Sequence, residues 1–192
     1  MDIAISGTAM VLFSPLFFLI SIAIKLNSAG SIFYVSRRWG QKGRLFNCYK
    51  FRSMVINADE LKSDLLRENE MDGPVFKIKN DPRTTNVGRW LRKYSLDELP
   101  QLWNVFKGDM SLVGPRPLPE AEEVGEYKLK YLNRLTIKPG LTCLWQIRGR
   151  NTVPFKVWMK LDDYYIRNWS PAMDVQILLR TIPAVFRSKG AY

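Results

Sequence analysis

The sequence of 192 residues contains no histidine. This absence excludes histidine-based catalytic triads, histidine metal ligands and the side chain that most often serves as a general base near neutral pH. Two cysteines, Cys48 and Cys143, lie far apart and outside any metal-ligand spacing, so neither a disulfide framework nor a structural zinc site is expected. The sequence also lacks a Walker A loop and a G-x-G-x-x-G turn, which leaves P-loop and Rossmann nucleotide sites unsupported.

Acidic residues are fewer than basic ones, because 18 Asp and Glu stand against 29 Lys and Arg and give a formal net charge of +11. Such an excess predicts an anionic partner, which is a nucleic acid, an acidic membrane surface or a phosphorylated substrate. Basic clusters interleaved with stacking aromatic side chains are scarce, and this argues against nucleic acid.

The N-terminal segment has an apolar run, residues 3–24, that carries no charge. As one helix it would be about 33 Å long, enough to cross a bilayer core. Ser14-Pro15 interrupts the run, because proline breaks the helical hydrogen-bond ladder and Ser14 can bond to a freed carbonyl. Each half would be about 17 Å, too short to span, so a kinked spanning helix and a re-entrant hairpin are both open. Lys25 and the basic chain beyond it predict that the rest lies on the cytoplasmic side.

The middle of the chain carries signals for a hairpin, a helix and a basic loop. Residues 31–36 and 44–51 are rich in aromatic and β-branched side chains and flank a glycine turn at 40–43, which predicts a β-hairpin. An Asn and a Glu at capping-box spacing predict a helix over 57–70. Residues 75–89 are basic and irregular, which is typical of a loop near anions.

Helical and extended patterns alternate through the rest of the chain. They predict, in order, a short helix at 87–92, a helix from Ser95 to Gly108, a strand at 110–114, a helix at 120–135, an extended segment at 139–149 and a helix at 154–169. Ser170-Pro171 starts a last helix with apolar residues at helical spacing and Arg180, Arg187 and Lys189 among them. This pattern fits a basic amphipathic helix on a membrane and a core helix with a solvated face equally well.

Asp97 and Glu98 are adjacent acidic residues in the first turn of the helix predicted from Ser95. Free backbone N–H groups and the helix dipole stabilise negative charge there, so Asp97 would be ionised and able to bind a metal ion or attack phosphorus. Alternatively, Glu98 only completes a capping box with Ser95, and the motif alone favours this interpretation.

Cationic side chains are dense on both sides of this acidic pair in the sequence. They are Lys50, Arg52, Arg89, Arg92, Lys93, Arg116, Arg148 and Arg150. Each alone is typical of a solvated surface, but together they can neutralise a diphosphate through bidentate contacts. Phosphoryl transfer requires such neutralisation together with a divalent ion.

Several long motifs resemble one family, the bacterial sugar transferases, which are monotopic polyprenyl-phosphate phosphoglycosyl transferases. The resemblance covers essentially the whole chain and rests on Ser14-Pro15, CYKFRSM (48–54), RKYSLDELPQLWNVFKGDMSLVGPRP (92–117), KPGLTCLWQIRGRN (138–151) and LDDYYIRNWS (161–170). NDPR (80–83) and RSKGAY (187–192) are most similar to the catalytic domain of larger members that load galactose- or glucose-1-phosphate onto undecaprenyl phosphate.

The resemblance implies a small, membrane-associated α/β domain with a β-hairpin and interfacial amphipathic helices. Residues 1–27 would form a re-entrant membrane helix broken at Ser14-Pro15, and residues 28–192 the cytoplasmic catalytic domain. The protein would lie at the cytoplasmic face of the bacterial inner membrane, in contact with its lipids. Its expected substrates are undecaprenyl phosphate and a UDP-sugar, with UDP-galactose or UDP-glucose favoured, and homo-oligomerisation is left open.

The resemblance also implies roles for individual residues. Asp97 would be the nucleophile that attacks the β-phosphorus of the UDP-sugar and expels UMP, and polyprenyl phosphate would then attack the acyl-phosphate intermediate. Glu98 would assist as a base or in metal placement, and Mg²⁺ would bind at Asp97. The residues expected to bind phosphate or substrate are Arg92, Arg116, Arg150, Lys50, Arg52, Gln146 and Asn151.

The chain departs from the family pattern in three places. It begins with Met1-Asp2 where many members carry a basic pair, and the extra transmembrane helices and domain of larger members do not precede this region, so we expect a minimal form or a fragment. Cys143 stands where the family usually has glycine, which questions the local backbone geometry. The competing hypothesis is a membrane-tethered basic binding protein without catalysis, and the intact Ser-Leu-Asp-Glu sequence argues against a non-catalytic subunit.

Overall fold

Groups of helices and short strands follow one another along the chain in a mixed α/β fold, as the sequence predicts. The computed structural model describes residues 1–71, 75–118, 129–187 and 190. The helices are α1 (Asp2–Leu12), α2 (Ser14–Asn27), α3 (Asn86–Lys93), α4 (Gln101–Lys107), α5 (Leu144–Arg148), α6 (Phe155–Arg167) and α7 (Pro171–Arg187). The strands are β1 (Phe33–Trp39), β2 (Leu45–Phe51), β3 (Ser111–Val113) and β4 (Gly140–Thr142).

The apolar N-terminal segment is two helices rather than one. α1 and α2 meet at a 60° bend, and the Ser14 hydroxyl donates to the freed Val11 carbonyl at 2.7 Å, as predicted. Pro15 lies in the first turn of α2, where a missing N–H costs no hydrogen bond. Within the described ranges no single helix is long and apolar enough to cross a membrane. By length and composition alone, the bent pair of α1 and α2 passes the same test, either as a broken span or as a re-entrant loop.

Both ends of this helix pair are fastened to the rest of the protein. The Asp2 carboxylate accepts from the Leu112 N–H at 3.3 Å, and the Asn27 side-chain oxygen accepts from the Val87 N–H at 3.2 Å. At the bend, in contrast, Val11 is 73% and Leu12 is 71% exposed. The pair therefore presents an uncovered apolar apex while its two ends contact the same body.

The predicted β-hairpin is confirmed. β1 and β2 are antiparallel with a register that runs from Phe33 opposite Phe51 to Trp39 opposite Leu45. Phe51 is 1% exposed and packs against the Phe17 ring of α2, with centroids 5.6 Å apart. Full burial of such a side chain contributes about 1.5–3 kcal/mol, so this contact joins the hairpin to α2.

The main core surrounds a short parallel pair, β3 and β4. Helices α4, α5, α6 and α7 bury apolar side chains around it, and Trp145 of α5 stacks on Trp158 of α6 with centroids 3.8 Å apart. A Cβ at Gly140 would lie 2.0 Å from the Gly114 nitrogen, so only glycine permits this approach of two backbones. The approach fixes the start of the turn that follows β3.

Outside residues 95–108, two predicted elements are wrong and another is only partly described. Residues 57–70 form two 3₁₀ turns, Glu60–Lys62 and Leu66–Glu68, instead of a helix, because few of their apolar side chains are buried and a short helix needs such packing. The segment 139–149 is extended only through β4 and then turns into α5, whose Leu144 and Trp145 enter the core. Residues 119–128 of the helix predicted at 120–135 lie outside the described ranges, and Leu129–Thr136 is a 3₁₀ helix.

The last helix, α7, has features of both predicted types, a core helix and an amphipathic helix with an exposed apolar face. Ile177 is 1% exposed in the main core, as in a core helix. A second apolar stripe remains uncovered at helical spacing, and its members are Val175, Leu179, Ile182 and Phe186. A stripe of this kind is typical of a helix that lies on a membrane surface.

Candidate active site

Asp97 and Glu98 lie in a single 3₁₀ turn, Leu96–Glu98, between α3 and α4. The prediction of one helix from Ser95 is therefore wrong. Ser95 has a left-handed backbone with φ 54° and makes no side-chain capping bond, and α4 begins only after Pro100, since proline fits the start of a helix but not its interior. The capping-box interpretation of Glu98 is consequently wrong as well.

Glu98 is held by two cations from different elements. Its Oε1 accepts from Lys50 Nζ at 2.9 Å. The Arg116 guanidinium donates to both carboxylate oxygens, with Nη1 3.0 Å from Oε2. Burial opposes ionisation of Glu98, but Arg116 and Lys50 outweigh it and hold the pKa of this carboxyl well below its usual range. Glu98 is therefore a fixed anion and a poor proton acceptor.

Asp97 lies in the opposite environment. It is 8% exposed and borders a cleft, and no donor in the described residues hydrogen-bonds to its carboxylate. Burial, followed by the charge of Glu98, raises the pKa of Asp97, whereas Lys50 and Arg92 act in the other direction. Of the two adjacent carboxylates, one is thus neutralised by the protein and the other faces the cleft.

The cleft has a volume of about 200 Å³ and brings together most of the predicted site. The predicted residues that line it beside Asp97 and Glu98 are Lys50, Arg92, Arg116, Gln146, Arg150 and Asn151. They come from β2, α3, the turn after β3, α5 and the turn after α5. Side chains far apart in sequence therefore form one strongly cationic surface around Asp97.

Close backbone contacts position the cations of β2 and α3. The buried side chain of Asn104 in α4 accepts from the Tyr49 N–H at 3.1 Å and donates to the Asn47 carbonyl at 2.7 Å, which holds β2 and its Lys50 in place. On α3, a Cβ at Gly88 would lie 1.9 Å from the Ser53 carbonyl oxygen, so glycine is required there.

The close approach at Gly88 sets the position of Arg92, one turn further along α3. Arg92 Nε then donates to Ser53 Oγ at 3.0 Å, and its Nη1 donates to Thr84 Oγ1 at 3.3 Å. Both partners are neutral hydroxyls, so the positive charge of Arg92 is not cancelled by them and remains available to an anion in the cleft.

A buried ion pair supports the turn that carries Arg116. Arg134 Nη2 donates to Asp162 Oδ2 at 3.0 Å and to the Arg116 carbonyl at 2.6 Å. Asp162 is 3% exposed, and burial raises its pKa to about 6 although Arg134 opposes the shift. The pair therefore acts through the backbone of Arg116 on the cation that holds Glu98.

Arg52 is the predicted phosphate-binding residue that the structure does not bring to the cleft. Its guanidinium donates to the carbonyls of Ser28, at 2.8 Å, and Ala29. These carbonyls follow the end of α2, where free acceptors and the helix dipole attract a cation. Arg52 lies directly after β2, so these hydrogen bonds join the end of α2 to the end of β2.

Lys77 is a cleft residue that the sequence reasoning missed. It lies among Lys50, Arg92 and Arg116, and burial followed by these cations lowers its pKa to about 7. Asn69 fixes the Lys77 backbone by accepting its N–H at 2.8 Å. Lys77 belongs to the basic segment 75–89, which the sequence predicts to be a loop near anions, but no spacing in that segment distinguishes Lys77 from its basic neighbours.

Cys143 fits its position without strain. Its backbone is extended, with φ −152° and ψ 170°, which any residue adopts. The thiol is buried, which raises its pKa, and it donates to Gln146 Oε1 at 3.1 Å. The departure from glycine therefore leaves the local fold intact and orients a side chain that lines the cleft.

The available carboxylates suit a magnesium ion that is bound partly by substrate phosphates, rather than one bound entirely by protein side chains. Among the described residues, no group of three or more Asp, Glu, His or Cys side chains could hold a metal ion. Mg²⁺ in phosphoryl-transfer sites commonly binds one or two carboxylates together with substrate phosphates. Asp97 supplies one such carboxylate at the edge of the cleft.

The Asp97 carboxylate, which has no hydrogen-bond donor among the described residues and borders a cationic cleft, is chemically suited to act on a phosphorylated substrate. The family described as bacterial sugar transferase matches residues 1–188. The chain belongs to this family.

Three relatives illustrate the similarity. The exopolysaccharide production protein ExoY of Rhizobium meliloti (strain 1021) is 46% identical over 195 residues, which cover 100% of this chain and 86% of that protein. The undecaprenyl-phosphate galactose phosphotransferase of Salmonella typhimurium is 44% identical over 100% of this chain and 40% of its own length. The UDP-glucose:undecaprenyl-phosphate glucose-1-phosphate transferase of Klebsiella pneumoniae is 37% identical over 100% of this chain and 40% of its own length.

Proposed function

We propose that this protein transfers a hexose-1-phosphate from a UDP-sugar to undecaprenyl phosphate in the assembly of a bacterial polysaccharide. Relatives that match the whole chain are named for this transfer with galactose or glucose. The observation that carries the proposal is the contrast between Glu98, neutralised by Lys50 and Arg116, and Asp97, which faces the cationic cleft.

In the proposed mechanism, Asp97 acts twice on one phosphorus atom. A carboxylate oxygen attacks the β-phosphorus of the UDP-sugar, an O–P bond forms, and the bond from that phosphorus to the bridging oxygen breaks as UMP leaves. A phosphate oxygen of undecaprenyl phosphate then attacks the same phosphorus, and the Asp97 carboxylate leaves with its electron pair. The product is an undecaprenyl diphosphate sugar, and two easier displacements replace one difficult one.

The cations of the cleft stabilise the charge that this transfer moves. Lys77, Arg92 and Arg150 are placed to contact the diphosphate, because all three line the cleft. Glu98 acts as a positioning residue that keeps Lys50 and Arg116 directed at the reacting phosphorus. A Mg²⁺ ion bound by Asp97 and the substrate phosphates would supply further neutralisation of the leaving UMP.

We further propose that the protein is held at the cytoplasmic face of the bacterial inner membrane. The exposed apolar bend at Val11 and Leu12 would enter the bilayer, and both ends of the α1–α2 pair would stay on one side because each is hydrogen-bonded to the catalytic domain. The uncovered stripe of α7 and the net charge of +11 favour contact with an anionic lipid surface.

The proposal is tested by UMP release from a panel of UDP-hexoses with undecaprenyl phosphate and Mg²⁺. We expect turnover by the native protein, none by Asp97→Asn, and full turnover by Asp163→Asn. Asp163 is a fair control because its side chain is 41% exposed, pairs with Arg167 and does not line the cleft. Absence of turnover with every UDP-hexose, together with salt-dependent binding of anionic lipid, would favour the non-catalytic binding protein instead.

A further inference from the structure

An apolar cavity of about 230 Å³ opens beside the catalytic cleft. It lies between the turn that carries Asp97, strand β4, helix α5 and the C-terminal half of α7. Four residues border both the cleft and this cavity, and they are Ser95, Glu98, Gln146 and Arg150. The charged and the apolar spaces therefore lie side by side and share a wall.

The walls of the cavity differ in chemistry from those of the cleft. Leu96, Leu99, Leu141 and Ile147 line it, and α7 contributes Leu178, Ala184 and Val185. A space lined mainly by apolar side chains favours an apolar occupant, because the occupant removes that apolar surface from water.

Thr181 is the one hydroxyl residue of α7 that lines this cavity, and its hydroxyl is hydrogen-bonded within the protein. Thr181 donates to the Ile177 carbonyl at 2.8 Å, and its hydroxyl lies 2.7 Å from that of Thr142. Thr181 therefore does not call for water inside the cavity.

We propose that this cavity binds the isoprene units next to the phosphate of the polyprenyl acceptor; the proposal rests on the function given above. The acceptor has an anionic head joined directly to an apolar chain, and the structure has a cationic cleft directly beside an apolar cavity. A UDP-sugar has no apolar portion that would fill such a space.

The position of α7 provides a route for the rest of the chain. Ile182 and Phe186 are 58% and 74% exposed, and the lining residues Ala184 and Val185 lie between them along the helix. One face of the C-terminal half of α7 thus borders the cavity, while the adjacent face is open and apolar. A prenyl chain leaving the cavity would continue along α7 into the lipid.

The test fills the cavity from α7 and compares the two half-reactions. Ala184→Leu and Ala184→Phe add increasing volume to its wall, and Ala172→Phe adds the same ring at an exposed position of the same helix outside the cavity. We expect Ala184→Phe to raise KM for undecaprenyl phosphate by about tenfold or more, with Ala184→Leu between it and the native protein. UMP release in a single turnover without acceptor should proceed in all three variants, which also shows that each is folded.

Farnesyl phosphate gives a second arm, because it contains only isoprene units near the phosphate. The same rise in KM is expected with this short acceptor. An unchanged KM for both acceptors in Ala184→Leu and Ala184→Phe would overturn the cavity assignment, as would a rise seen only with undecaprenyl phosphate or an equal rise in Ala172→Phe. If Ala184→Phe no longer releases UMP in a single turnover, the KM of Ala184→Leu for the two acceptors decides whether the cavity assignment holds. Failure of the native protein to release UMP would instead overturn the proposed function, and the cavity assignment with it.

Discussion

Glu98 and Arg116 form a two-point ion pair in which one guanidinium donates to both carboxylate oxygens. The side chains are 12% and 19% exposed, so the pair is largely screened from water. Lys50 completes the arrangement by binding the same carboxylate. The second carboxylate of the motif thereby holds two cations, and in the proposed mechanism this leaves Asp97 as the group that reacts.

Glu98→Gln should weaken the site without removing its nucleophile. Loss of this charge leaves Arg116 and Lys50 partly buried and uncompensated, which costs roughly 3–5 kcal/mol when a buried pair is broken. We expect a lower melting temperature and kcat/KM reduced by more than tenfold, yet measurable turnover, in contrast to Asp97→Asn. Complete loss of UMP release in a folded Glu98→Gln protein would show that Glu98 takes part in the chemistry itself.

Lys77 should make substrate binding sensitive to pH near neutrality. Its pKa is lowered to about 7, so the free protein loses this charge as the pH rises through 7. We expect kcat/KM for the UDP-sugar, which reports the free enzyme, to fall between pH 6 and 9. Lys77→Arg should flatten this limb, since arginine does not titrate there. An identical profile in both proteins would contradict the assignment.

Asp162 should contribute to stability in the opposite sense from most carboxylates. Its pKa is raised from 3.8 to about 6 on folding, so the folded state binds more protons than the unfolded state between these values. Its stabilising contribution is complete below pH 4 and is lost as the pH rises through 6, by roughly 3 kcal/mol.

Thermal unfolding of the native protein and of Asp162→Asn between pH 4 and 7 tests this assignment. The melting temperature of the native protein relative to the variant should decline across the range. Parallel curves would refute the shift. Asp163→Asn, at the neighbouring and more accessible position, should leave the pH dependence as it is in the native protein.

The bend at Ser14-Pro15 should determine the topology of the N-terminus. Cysteines introduced at Ile3 and Ser28 should label from the same face of a sealed vesicle, and Cys48 and Cys143 give little background because both are buried. Pro15→Leu restores an N–H and removes the ring clash, so a straighter helix should move the label at position 3 to the opposite face. Opposite-face labelling in the protein with Pro15 intact would contradict the re-entrant arrangement.

Local patterns predicted the parts of the fold that depend on nearby residues. The hairpin, the break at Ser14 and the last helix followed from side-chain periodicity and from proline, which act over a few positions. The turn at Ser95 did not follow, because Pro100 delays the start of α4 and Ser95 takes a left-handed conformation that its sequence does not signal. The spacing of Ser95 and Glu98 matches a capping box, but the left-handed backbone of Ser95 does not allow one.

The roles of residues within the site depend on contacts between distant parts of the chain, and local sequence patterns predict such contacts poorly. The motif resemblance predicts four cations that line the cleft, but it also includes Arg52, whose partners Ser28 and Ala29 come near it only in the folded chain. It also omitted Lys77, which reaches the cleft through an irregular loop. The pairing of Glu98 with Arg116 joins positions that no local rule connects.

The most direct test of the central claim is intact-protein mass spectrometry after mixing with a UDP-hexose and Mg²⁺ in the absence of acceptor. The account predicts that the protein gains the mass of one hexose phosphate at Asp97, releases an equal amount of UMP, and loses the adduct when undecaprenyl phosphate is added. Asp97→Asn should show neither adduct nor UMP. UMP release that requires undecaprenyl phosphate from the outset, with no adduct on the native protein, would contradict covalent transfer through Asp97.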